Sequence, residues 1–332
     1  MSEEFPESED RPDPTDDGLA IDTRVIPDEA GAPLAIELGV TDLDVAAEPV
    51  ALSQWQLFVR RFKRHKLAIG SLVTLILIFV LCFVIAPIFL TAPQDQRSNL
   101  TLGSTGPSWQ HPFGTDELGR DMWARILYGG QISLRIGVGV AVVSTLLGTF
   151  FGAIAGLYGK AVDQVIMRAT DLVLILPAIA VLAVALQRFG QKPNNIVFVL
   201  AGLFWMQIAR VVRGLTLSLK EKEFVEGARA AGASNFRIIV RHILPNCIGP
   251  IMVNLTLSIA VAIITESTLS FLGYGVVPPD VSWGYLLYTA RTKYNHDVHL
   301  VLFPGLAILV TVLAVNALGD GLRDALDPHA KH

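Results

Sequence analysis

Residues 223–246 read EFVEGARAAGASNFRIIVRHILPN. Uncharged apolar runs flank this stretch, yet it carries Glu223, Glu226 and Arg229 before Gly232, and Arg237, Arg241 and His242 after it. Phe224, Ala228 and Ala231 recur at helical spacing and predict a small apolar face, with Glu221, Lys222, Glu226 and Arg229 on the remainder. Gly232 interrupts the pattern and is free to take a positive φ. Ser234 is placed to cap a second helix, on which Phe236, Ile239, Val240 and Ile243 form one stripe while Arg237 and Arg241 stand four apart on another. Pro245 marks the bend where the chain returns to apolar sequence. The expectation is two short helices joined at a glycine. What such a hairpin does depends on its surroundings.

Those surroundings are membrane-like. The chain has 332 residues, of which 52 % are hydrophobic and 17 % charged, with a mean hydropathy of +0.50. An ordinary soluble domain is about a quarter charged. Uncharged runs place six spans at residues 67–94, 136–159, 172–187, 193–209, 242–265 and 298–319. The third run has only 16 residues, so its helix is expected to begin near Met167 and keep Asp171 at its edge. The fold class predicted is therefore an all-α polytopic membrane protein with six transmembrane helices. Cys82 and Cys247 both fall in spans and read as buried apolar filler, not as a disulfide.

Charge is unevenly spread. Residues 1–50 hold 15 acids and two bases together with six prolines, the composition of a disordered acidic tail. That segment lacks the basic start and apolar core of a signal peptide. With the N-terminus in the cytoplasm, the inner segments of residues 51–332 carry 16 Lys and Arg and the outer segments eight. The positive-inside rule then places both termini, and the 223–246 hairpin, on the cytoplasmic side. RRFKRHK at residues 60–66 is the strongest anchor. Domain boundaries follow: a cytoplasmic tail over 1–50, an N-terminal segment with the first span and outer loop over 51–130, and a five-span core over 131–328 that contains the loop 221–245.

Other patterns have structural readings. Gly148, Gly152 and Gly156 make two overlapping GxxxG motifs, which let a second helix approach closely. In residues 111–137, HPFGTDELGRDMWARILYGGQISLRIG, Pro112 and Gly114 predict a turn and Thr115 a helix cap. Asp116 and Glu117 would then sit in the first turn, and Leu118, Met122 and Ile126 on an apolar face. His111, Asp116, Glu117 and Asp121 could instead be read as metal ligands, but acids at a helix start need no metal to explain them. On physics alone the 223–246 hairpin fits a groove of a cytoplasmic partner or rests on lipid.

EGARAAG followed by Leu244-Pro245 resembles the EAA loop of ABC-transporter permease subunits. Residues 111–137, WQLFVRRFKRHKLAIGSLV at 55–73 and ESTLSFLGYGVVPPDVSWG at 266–284 resemble the dipeptide/oligopeptide branch of that family (OppC/DppC-like), which also includes nickel and glutathione permeases. Together the likeness covers roughly residues 55–328 and leaves out the acidic tail. It implies a type I importer permease fold with a cytoplasmic coupling helix that docks into an ATP-binding subunit. Carried over residue by residue, Glu226, Ala228, Gly232, Leu244 and Pro245 match the loop; Gly227 departs, because the family favours alanine there, and should loosen the helix by about 0.5–1 kcal/mol. The expected ATPase-coupling set is Phe224, Glu226, Gly227, Ala228, Gly232, Ala233 and Ser234.

The resemblance further implies a homologous second permease subunit, two ATP-binding subunits and an extracytoplasmic substrate-binding protein, all at a prokaryotic inner membrane. ATP and Mg would sit on the partner subunits, with no cofactor on this chain, because GxxxxGK[ST] is absent and the only Gly-Lys pair, Gly159-Lys160, precedes Ala161. No catalytic constellation and no nucleic-acid-binding pattern stands out. An ion-coupled secondary transporter is the alternative, but such proteins carry ionisable groups deep in their spans, whereas Arg135, Asp171, Arg210, Glu266 and Asp320 lie at span ends. Gln207 and Asn254 lie within spans, with interhelical hydrogen bonding as their first expected role and the pathway as their second. Glu266 is expected at the outer rim, facing the binding protein.

Overall fold

The computed structural model describes residues 54–96, 98–293 and 295–326; the acidic tail expected over 1–50 lies outside them. Among the described residues there are ten helices and no strand. They are α1 (Gln54–Arg64), α2 (Lys66–Phe89), α3 (Met122–Tyr158), α4 (Lys160–Leu174), α5 (Ala178–Phe189), α6 (Pro193–Leu219), α7 (Glu223–Ala230), α8 (Asn235–Phe271), α9 (Trp283–Ala290) and α10 (His299–Leu326). Five of them, α2, α3, α6, α8 and α10, are long and apolar enough to cross a membrane.

The third predicted span is not one helix. α4 and α5 meet at an angle of 91°. The break falls at 175–177, where Pro177 disfavours a helical conformation at the residue before it. At 12 residues α5 is about 18 Å long, too short to cross the hydrocarbon by itself. Packing nevertheless requires the pair to carry the chain across. α3 and α6 run parallel: Gly139 faces Val197, Gly148 faces Ile208, Gly152 faces Val212 and Gly156 faces Thr216. Parallel neighbours start at the same end, so the chain leaving the end of α3 must travel the full thickness before α6 begins. The six crossings therefore hold, with one of them bent.

The α3–α6 contact rests on the GxxxG glycines. A Cβ on Gly148 would stand 2.6 Å from the Ile208 Cβ, and one on Gly156 2.6 Å from the Thr216 Cβ. In lipid there is little hydrophobic gain from helix pairing, so this backbone-level approach supplies the dispersion contacts that hold the pair. Polar locks join α6 to α4. Arg213 of α6 binds both carboxylate oxygens of Asp163 on α4, one of them at 2.6 Å, and Arg210 reaches Asp171 at 2.6 Å.

Around this pair each further span packs antiparallel to the one before it. α8 lies on α3 with Ile263 against Gly137, and α10 lies on α8 with Thr256 against Gly319. α2 closes on α10, with Ala68 against Gly321 and His65 Nε2 3.5 Å from Asp324. The start of α2 and the ends of α3, α6 and α10 thus share one face with the α7 hairpin, called the hairpin face below. The loops 91–121 and 272–298 share the other.

Several sequence expectations are corrected. Thr115 does not cap a helix: it is buried in the loop, where its hydroxyl donates to the Gly103 carbonyl at 2.7 Å. Asp121 caps α3 instead, accepting from the Trp123 N–H at 2.8 Å, so Asp116 and Glu117 precede the helix. Pro245 makes no bend: α8 runs without interruption from Asn235 through a π-turn at Ile239–Ile243 into the membrane. The boundary expected at residues 130/131 falls inside α3, a 37-residue helix about 55 Å long, and the described residues form one compact unit.

Substituting Gly152 with Leu should force α3 from α6 and lower the melting temperature of the detergent-solubilised chain by several degrees. Gly202→Ala, where nothing lies within 4 Å of an added Cβ, should leave it unchanged or slightly raised.

The candidate coupling surface and its supports

α7 and the first turn of α8 form the hairpin read from the sequence, but with a different inner side. Val225, Ile238 and Ile243 are fully buried and pack with Cys247 and the α3 terminus at Leu157. Phe224 and Ala231 are exposed and Ala228 is half-buried, so the apolar face predicted from Phe224, Ala228 and Ala231 does not exist. Of the stripe Phe236–Ile239–Val240–Ile243, Ile243 is buried, while Phe236, Ile239 and Val240 line an apolar groove beside α3 with Phe236 and Val240 exposed; Ile238 joins the buried side. Val225 was missed because one valine in an eight-residue helix sets no period; the tertiary contact with Leu157 selects it.

The turn between the two helices is a Schellman motif. The Ala233 N–H donates to the Ala228 carbonyl at 3.0 Å and the Gly232 N–H to the Arg229 carbonyl at 3.0 Å. Gly232 sits at φ +79°, which only glycine adopts cheaply. Ser234 then accepts from the Arg237 N–H at 3.4 Å at the start of α8. Gly227 lies mid-helix with open space around it. Short links fix the hairpin to the spans: residues 220–222 join it to α6, and the Lys220 ammonium donates to the Gly156 carbonyl of α3 at 3.4 Å. The outward side presents Phe224, Glu226, Arg229, Phe236 and Arg237, two aromatics among mixed charges. Phe236 is 75 % exposed, an uncommon state for a phenylalanine on a helix start.

Glu266 is elsewhere. Instead of facing out at a rim it is fully buried in α8, and that expectation is corrected. The Ser270 hydroxyl donates to it at 2.6 Å, and the Ser133 hydroxyl of α3 at 3.4 Å. Ser133 also accepts from the Trp283 N–H at 3.2 Å, and Ser270 from the Val276 N–H at 3.1 Å. The carboxylate is thus the centre of a polar knot that ties the 272–283 segment to α3 and α8. Ser267 and Ser270, one and four residues after Glu266 in ESTLS, were the available signal. Asn254 makes no interhelical bond; its amide donates to the Pro250 carbonyl of its own helix at 2.9 Å. Gln207 is exposed on α6, pointing away from the rest of the chain. Gln207, Asn254 and Glu266 therefore do not converge on one site. His111 Nδ1 stands 3.7 Å from Asp121, and no group of three potential metal ligands occurs among the described residues.

The family follows from comparison. Residues 148–332 match the model of the binding-protein-dependent transport system inner membrane component, and residues 53–107 that of the N-terminal transmembrane domain of oligopeptide transport permease C. This chain belongs to that permease family. A putative peptide transport system permease protein of Brucella abortus is 42 % identical over 87 % of the chain and 95 % of the relative. The oligopeptide transport system permease protein OppC of Mycobacterium tuberculosis is 40 % identical over 84 % and 96 %. The glutathione transport system permease protein GsiD of Escherichia coli is 41 % identical over 83 % and 91 %. The chain is accordingly a multi-pass ABC-importer permease subunit with the type I fold.

Glu266→Ala should destabilise the permease by about 2–4 kcal/mol, because the Ser133 and Ser270 hydroxyls and the loop they hold lose their shared acceptor. Glu266→Gln should cost less. Chemical melting, with protease nicking between residues 272 and 298 as a second readout, checks both. Gly227→Ala should stabilise α7 by about 0.5–1 kcal/mol with no steric cost.

Proposed function

We propose that this permease subunit forms half of the translocation pathway of a peptide-type importer and that its hairpin is the handle by which a cytoplasmic ATP-binding subunit moves it. The observation that carries this reading is the two-sidedness of α7 and the start of α8. Val225, Ile238 and Ile243 clamp one side to the spans, while Phe224, Glu226 and Phe236 stand out on the other. A surface so fixed and so exposed suits insertion into a groove. Because the hairpin is joined to α6 by three residues and packed on Leu157 of α3, a push on it displaces the α3–α6 pair as a unit.

In this reading the hairpin face is cytoplasmic, which the 16-to-eight Lys and Arg bias supports. Two ATP-binding subunits bind ATP and Mg²⁺ and supply the hydrolysis. Their closure drives the hairpin, and the spans rock between inward-open and outward-open states. A homologous second permease completes the pathway. Gln207 supports this: an exposed amide in the middle of a span needs a polar partner or water, which a lipid-facing surface does not give. An extracytoplasmic binding protein delivers the substrate. The relatives' names point to a peptide or a peptide-like molecule such as glutathione as cargo.

Affinity purification of the chain in mild detergent tests the assembly. Two ATP-binding chains and a second permease should accompany it; a lone homodimer with proton-coupled uptake would overturn the reading. Glu226→Ala should lower recovery of the ATP-binding chains. Gly232→Val should place a β-branched residue at positive φ, at a cost of about 1–3 kcal/mol, and uncouple ATP hydrolysis from uptake in reconstituted vesicles while membrane insertion persists. Coupled uptake at the wild-type rate would contradict it.

A further inference from the structure

On the face opposite the hairpin, a cavity of about 400 Å³ opens between the 116–125 segment and the end of α9. Arg120, Arg125 and Arg291 line it, together with Asp116 and Glu117. Arg125 is 3 % exposed and stands in the first turn of α3, where the helix dipole favours an anion and not a cation. Its Nε has no hydrogen-bond partner.

Asp116 is the nearest carboxylate, at 3.6 Å from that Nε, beyond hydrogen-bonding reach. It is also fully engaged. Oδ2 accepts from Arg120 Nε at 2.8 Å and stands 2.7 Å from Arg120 Nη2, while Oδ1 accepts from the N–H groups of Leu118 and Arg120 at 3.0 and 2.9 Å. Arg291 at the mouth lies over the Tyr288 ring, 4.0 Å from its centroid, and has no carboxylate of its own in the cavity. Glu117 is exposed. Three guanidiniums and two carboxylates leave one positive charge in excess. A buried, incompletely paired arginine is costly unless something completes it.

We propose that this cavity is a binding site for a single carboxylate, held by Arg125 from within and Arg291 at the mouth. A monoanion matches the excess charge, whereas a phosphate dianion would overcompensate it beside Asp116 and Glu117. The planar fork of arginine suits the two oxygens of a carboxylate. Two sources carry that chemistry: the free C-terminus of a peptide released at this face, and an acidic side chain of the docked extracytoplasmic protein. Both rest on the function proposed above, but only the second needs the assembled transporter for its test.

Two arms separate them. In the first, the purified full chain in lipid nanodiscs is titrated with N-acetyl-dialanine and with its C-terminal amide, and thermal stabilisation is followed by intrinsic fluorescence. The acid should stabilise and the amide should not. Arg125→Gln and Arg291→Gln should each weaken the acid's apparent affinity by about tenfold, the loss of one charge-assisted hydrogen bond, and Glu117→Gln should tighten it. Arg291 is at the exposed mouth, so its variant remains readable if Arg125→Gln fails to fold. In the second arm, docking of the binding protein to the assembled transporter is measured at rising salt. Weakened docking by the same variants, with no response to the free acid, assigns the carboxylate to the protein partner. If neither arm responds to the arginine variants, or if Glu117→Gln alone destabilises the chain because Glu117 fills the cavity itself, the site is refuted. Failure of the assembly to form disproves the function proposed above but leaves the first arm readable.

Discussion

The close approach of α3 and α6 is the constraint on which the rest of the molecule depends. Gly148, Gly152 and Gly156 remove side chains where Ile208, Val212 and Thr216 must enter. This contact makes the two helices parallel, and their parallel course forces the bent α4–α5 pair to carry the chain across the membrane. It also brings the ends of α3 and α6 together, so that Leu157, Lys220 and Val225 meet. The hairpin is therefore built on the most tightly packed helix pair in the protein. In the function proposed above the hairpin is a lever, and a lever needs such a base, because force applied to a loosely held loop would be absorbed by the loop.

The two faces of the membrane domain solve different problems. On the hairpin face, apolar anchoring by Val225 and Ile238 leaves a polar, aromatic-tipped surface outside. On the opposite face the chain is held by buried polar groups. Glu266 with its serines secures the 272–283 segment, and the His299 ring, 3.1 Å from the Thr115 carbonyl, links α10 to the 91–121 loop. Irregular backbone cannot satisfy itself as a helix does, so side chains must supply its partners. The glutamate read as a contact for a partner proves to be an internal brace of this kind.

Much of this was legible in the sequence. The uncharged runs located the five straight spans but only part of the bent α4–α5 pair, Gly232 located the hairpin turn, and Ser234 located the helix that follows it. Span ends were less legible, because α3 begins 14 residues before its apolar run and α8 begins seven before and ends six after its own. Proline was ambiguous. Pro177 stands at a 91° break, whereas Pro250 and Pro304 sit inside continuous helices. Local sequence does not distinguish these cases; neighbouring helices decide whether the freed backbone groups are satisfied. The roles of Val225 and Arg125 depend on residues distant in sequence, 68 positions away in the case of Val225 and Leu157, and no local pattern marks them.

The most direct test concerns which side of the membrane the hairpin occupies. A cysteine placed by Arg237→Cys, in a chain whose own Cys82 and Cys247 are buried, should resist a membrane-impermeant thiol reagent in intact cells and react in inverted vesicles. Prompt labelling from outside intact cells would place the hairpin away from any cytoplasmic motor and remove the basis for its role as a lever.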